Sequence, residues 1–111
     1  MTILEEITYY KTRFFAGKIA AATFWKKYKS LRKEFYASLE WQLVRKEVKQ
    51  RDVVCSCGEP GRDVDHILLL FDRPDLALDP ENLIYICSPC HKAKHRKLNK
   101  RGRLSKRNQV R

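Results

Sequence analysis

All four cysteines and all three histidines of this 111-residue chain lie between Cys55 and His95. Cys55 and Cys57 form a C-x-C pair, and Cys87 and Cys90 form a C-x-x-C pair in a separate segment. Two close thiolate pairs give the tetrahedral sulfur set that structural zinc prefers. A chain this short buries only a modest core, so a metal staple answers a physical need. The competing arrangement is four unligated cysteines packed as small apolar groups. It suits the pattern less well, because each pair borders a turn or a helix start, where knuckles form. The single-residue spacer between Cys55 and Cys57 departs from the usual two, so one ligand is expected to be poorly placed or replaced by another group.

Around this cluster the chain reads as α+β and mostly helical. Phe24, Tyr28, Leu31 and Phe35 recur at the spacing of one helix face, with Lys26, Lys29 and Lys33 opposite. Gly17 is a break before that helix, and Ser38 is a cap for a third helix whose apolar face carries Trp41, Val44 and Val48. The aromatic stripe is expected in the core, and the lysine face in solvent. From Val53 the character changes. Gly58, Pro60 and Gly61 mark a turn, Arg62–Ile67 reads as a strand, Asp72–Pro80 as a polar loop and Leu83–Ile86 as a second strand. A last helix has Ser88 as its cap, Pro89 at its first position and Gly102 after its last turn. The expected organisation is a single domain over residues 1–111. A helical part covers 1–51, a strand–loop–strand–helix unit with the four-cysteine zinc site covers 52–102, and a basic tail covers 103–111.

The net charge of +11 is unevenly placed. Ten of the 24 basic residues follow His91, where there is no acidic residue, so the preceding chain is nearly neutral. Such a block is the electrostatic footprint of a nucleic-acid binder, although a solvated tail would share it. Lys92, Lys94, Arg96, Lys97, Lys100 and Arg101 are the candidates for gripping phosphates. No stretch approaches the ~20 apolar residues of a membrane span. Met1–Tyr10 has no basic leader region, so no signal peptide is expected there. The cysteines are accordingly expected in a reducing compartment, where close pairs bind metal rather than form disulfides.

A second constellation comprises Asp65, His66, Asn82, His91 and His95. His91 and His95 are four residues apart on the last helix, so their rings share a face. Asp65 and His66 are adjacent on a strand, so they point to opposite sides. Each residue alone has an ordinary structural explanation; their order, inserted between the cysteine pairs, is what is unusual.

Trp41, Arg51-Asp52, Cys55-Ser56-Cys57-Gly58, Asp65-His66, Asn82-Leu83 and Cys87-Ser88-Pro89-Cys90-His91 together resemble the HNH endonuclease family over residues 41–95. The resemblance implies a ββα-metal fold and a metal-dependent DNA endonuclease that leaves 5′-phosphate and 3′-hydroxyl ends. It implies that His66 is the general base, that Asp65 and His91 bind the catalytic divalent metal, and that Asn82 holds the Asp-His loop. His95 matches a third metal-binding histidine found in some members. A mixed carboxylate–imidazole site accepts Mg²⁺, Mn²⁺, Ni²⁺ or Zn²⁺. DNA is the implied partner, held largely through phosphates and without sequence readout. The implied setting is the cytoplasm of a bacterial or phage-infected cell, with a dimer or a phage packaging partner left open. The alternative is a catalytically inactive, zinc-stapled DNA-binding or accessory module.

Overall fold

In the computed structural model, which describes the backbone of residues 1–106 and the side chains of 1–97, four helices accompany one two-stranded antiparallel sheet. Helix α1 (Ile3–Phe15) starts at a capping box, with Glu5 N–H donating to Thr2 Oγ1 and Thr2 N–H to Glu5 Oε1. Gly17, at φ +73°, ends the turn that follows. Helix α2 (Ala21–Tyr36) packs on α1 through the parallel rings of Phe14 and Phe24, 4.5 Å apart. Helix α3 (Leu39–Asp52) begins at Ser38, whose Oγ accepts from Trp41 N–H. The expected core face is present. Phe24, Leu31 and Phe35 of α2 and Trp41, Val44 and Val48 of α3 are buried, and most of these pack with Ile7, Leu70, Ala77 and Leu83.

Strand β1 (Asp63–His66) pairs antiparallel with β2 (Leu83–Ile86), setting Asp63 opposite Ile86 and His66 opposite Leu83. The strand is shorter than the Arg62–Ile67 expected. Arg62 and Ile67 still donate their N–H groups to Ile86 and Asn82 carbonyls at 2.9 and 2.7 Å, so pairing frays by one bond at each end. The loop between the strands contains 3₁₀ turns at Pro74–Leu76 and Pro80–Asn82. Arg51 and Asp52 fasten α3 to this hairpin. Arg51 donates to the Pro80 and Leu83 carbonyls, and Asp52 Oδ2 accepts from Tyr85 N–H.

Helix α4 (Ser88–Lys106) differs from expectation at both ends. Ser88 is its first residue rather than its cap, and the Cys87 carbonyl receives the first helical bond, from His91 N–H at 2.9 Å. Gly102 does not stop it. A glycine inside a helix costs about 1 kcal/mol relative to alanine, which weakens a helix without ending it. The part of the expected tail at 107–111 and the side chains of Lys100 and Arg101 lie outside the described residues. Among the described residues no helix is long and apolar enough to cross a membrane.

Candidate metal centres and active site

The first turns of α4 meet β1 and the turn before it, where Lys94 donates to Asp65 and Arg62 to Ser88, and two clusters of metal-ligating side chains assemble there. At the first, one sulfur each from Cys55, Cys57, Cys87 and Cys90 lies within 4.8 Å of every other. Cys57 and Cys87 Sγ are 3.6 Å apart. A tight turn carries the first pair, with Gly58 N–H donating to the Cys55 carbonyl and Cys55 N–H to that of Glu59. Gly58 takes φ +94°, a conformation that an L side chain resists. The short C-x-C spacer therefore does not keep Cys57 out of the group, although Cys57 remains exposed while Cys55 and Cys87 are buried.

The sulfurs are electrostatically frustrated as a set of thiols. Backbone N–H groups of Cys57 and Cys87 directed at the Cys55 sulfur lower its pKa to about 6. Hydrogen bonding among the sulfurs, first with Cys87, pushes Cys90 up to about 12. One thiolate forms easily and the others resist adding like charge beside it. A divalent cation among four sulfurs removes that conflict, which is the environment structural zinc supplies.

The second cluster is Asp65, His91 and His95, each offering one ligand atom within 4.8 Å of the others. His91 Nε2 is 2.9 Å from His95 Nε2 and 3.7 Å from Asp65 Oδ1. Ligands at about 2.0–2.2 Å from one ion sit about 3–3.5 Å from each other, so an oxygen and two nitrogens at these separations fit a single small cation. The i, i+4 spacing supplies the two imidazoles, and β1 supplies the carboxylate.

Two neighbours support this cluster, and neither role was visible in the sequence. His91 Nδ1 lies 3.7 Å from Asp63 Oδ2, so the ring nitrogen turned away from Asp65 faces a carboxylate. A carboxylate behind a ligating imidazole fixes its orientation and tautomer. Lys94, expected among the phosphate-gripping residues, is half-buried and donates to both Asp65 Oδ2 and the His66 carbonyl. Lys92, Arg96 and Lys97 are exposed.

His66 points away from Asp65, as alternation along β1 requires, and its ring is not among the clustered ligands. It is 3% exposed, with Trp41 stacked on it at 5.2 Å between centroids. Nε2 lies 3.0 Å from the Ala77 carbonyl, which can only accept, so Nε2 carries the hydrogen. The lone pair is then on Nδ1, which faces the Tyr36 hydroxyl at 3.4 Å. Burial lowers the pKa of this histidine, favouring the neutral ring. Asn82, also buried, braces the segment after His66. Its Oδ1 accepts from Leu68 N–H at 2.8 Å, its Nδ2 donates to the Leu68 carbonyl, and its own carbonyl accepts from Ile67 N–H.

A sequence model described as HNH endonuclease matches residues 54–97, the stretch holding both clusters. A protein of Lactococcus phage SK1 described as a probable HNH endonuclease is 41% identical over 69 residues, which take in 54% of this chain and 73% of that protein. The chain belongs to the HNH endonuclease family. The solved HNH endonuclease of the deep-sea thermophilic bacteriophage GVE2, a structure with a manganese ion, superposes with a TM-score of 0.70. It is 27% identical and covers 75% of this chain and 98% of that one. Residues 54–111 are only about half of the present HNH protein, so that overlap takes in part of its helical region as well.

Proposed function

We propose that this HNH protein is a metal-dependent endonuclease that hydrolyses phosphodiester bonds in DNA, with His66 as general base and a divalent cation held by Asp65, His91 and His95. The observation that carries this reading is the convergence of those three ligands beside a strand whose next residue is a neutral, braced imidazole. A neutral imidazole suits proton abstraction from water near neutral pH. Nδ1 is the nitrogen able to take that proton, once water replaces the Tyr36 hydroxyl beside it. Asn82 keeps the chain after His66 in place. Lys94 ties the carboxylate of Asp65 to the backbone of His66, joining the metal-holding and proton-accepting groups through one residue. A bound Mg²⁺, Mn²⁺, Ni²⁺ or Zn²⁺ would neutralise charge on the phosphate and on the leaving 3′ oxygen. The four cysteines would hold a structural zinc. Lys92, Arg96 and Lys97 would contact phosphates, with Lys100 and Arg101 continuing the same basic sequence.

Incubation with supercoiled plasmid and each of Mg²⁺, Mn²⁺ and Ni²⁺ tests this directly. The parent should convert the plasmid to nicked or linear forms, and the ratio of the two reports the cutting mode. His66→Ala should bind the same DNA, keep its helical signal and cleave at least about 100-fold more slowly. If the zinc-loaded parent binds DNA tightly yet cleaves with none of these metals, the protein is an accessory module rather than a nuclease.

A further inference from the structure

We propose that the exposed edge of α2 bearing Lys29, Arg32 and Tyr36 is a second phosphate-binding wall for the nucleic acid, lying outside the segment that the family pattern covers. The proposal deepens the nuclease reading and rests on it for the location of the substrate. Asp65 turns toward α4, where Lys94 and His91 meet it, and His66 turns toward α2, where Tyr36 meets it. The two helices therefore bracket the end of β1. A phosphodiester that is to be attacked must lie within reach of both the Asp65 and His66 sides, so its strand crosses between the helices. One bank of that path, α4, carries the exposed Lys92, Arg96 and Lys97.

The other bank is α2. Tyr36, 37% exposed, ends the helix with its hydroxyl at His66. Arg32 lies one turn back and Lys29 about one turn further, at the spacing that places side chains on one face. All three are exposed. Arg32 therefore sits one helical turn from the residue whose hydroxyl lies 3.4 Å from His66 Nδ1. Among the described residues neither Lys29 nor Arg32 forms an ion pair, whereas Arg51, Arg73 and Lys94 are each paired with a carboxylate. Lys27, on another face of the same helix, lies 5.3 Å from the ring of Tyr10 on α1. Two unpaired cations aligned with the general base suit phosphates flanking the attacked bond.

Binding of the zinc-loaded chain to a labelled mixed-sequence duplex, measured over a range of salt concentrations, tests this. The double variant Lys29→Ala/Arg32→Ala should flatten the log–log salt dependence by up to about 1.8, since each lost phosphate contact removes about 0.9. Lys27→Ala/Lys46→Ala, with the same change in charge on other surfaces, should keep nearly the parent slope. Equal slopes for the two double variants would overturn the proposal, because net charge alone would then explain the loss. Plasmid cleavage is scored separately. A parent that binds but never cleaves refutes the nuclease reading, while the salt slopes still decide whether α2 touches DNA.

Discussion

The two ligand clusters are built from the same hairpin and the same helix, yet they differ in how finished they are. The cysteine end offers four like donors drawn from two turns, two of them buried, with backbone N–H groups aimed at sulfur. Among the described residues, the Asp65–His91–His95 end offers three donors, of mixed chemistry, with His95 exposed and Asp65 shared with Lys94. A closed tetrahedral set has no position left for substrate, whereas three protein ligands leave room for one. On the proposed reading, the cysteine cluster at the start of α4 serves stability and the cluster one to two turns further along serves chemistry.

That division is open to a double test. Cys87→Ser should release zinc and lower the melting temperature by on the order of 10 °C or more, because metal binding at such sites is part of the folding free energy. His91→Ala should leave melting of the zinc-loaded protein within a few degrees but cut plasmid cleavage by at least about 100-fold. Retained zinc and unchanged melting in Cys87→Ser would break the contrast at the cysteine end. Full cleavage by His91→Ala would break it at the other.

What the sequence disclosed follows the same geometry. The cysteine pairs, the His91–His95 face and the core stripes of α2 and α3 are local patterns, because a turn or one helix fixes which side chains meet. Their placement was legible before any coordinates. The supporting partners were not. Asp63 faces His91 only once β1 lies against α4, and Tyr36 reaches His66 across 30 residues of sequence. Lys94 read as one more cation in a basic run because nothing local shows that Asp65 and the His66 carbonyl converge on it. Arg51-Asp52 was recognisable as part of a family pattern, but its work, bonding the Pro80 and Leu83 carbonyls and Tyr85 N–H, depends on how α3 meets the hairpin. Gly102 shows the opposite: it is a local stop signal, yet the helix continues to Lys106.

Asp63 grades the contrast further. Asp63→Asn keeps the size of the side chain and removes the charge facing His91 Nδ1. Partners of this kind change metal affinity by about 10- to 100-fold. The expected result is weaker activation by Mn²⁺ in a metal titration, with cleavage restored at high metal and zinc content unchanged. An activation curve identical to the parent's would remove Asp63 from the site.

The smallest effect expected concerns pH. Burial lowers the pKa of His66, so the charged imidazolium is disfavoured in the folded protein. The neutral form is the base, and activity should fall as pH drops through the folded value, which lies below the ordinary ~6.5. Stability follows the same sign. The unfolded chain takes up this proton more readily, so the group's contribution is complete above about 6.5 and is lost as pH falls toward the folded pKa. The acid limb of kcat/KM, measured with metal held saturating at each pH, should therefore have its midpoint below 6.5. A midpoint at the ordinary ~6.5 would mean that the ring is solvated in the working enzyme, and that the aromatic enclosure formed by Trp41 and Tyr36 opens before catalysis.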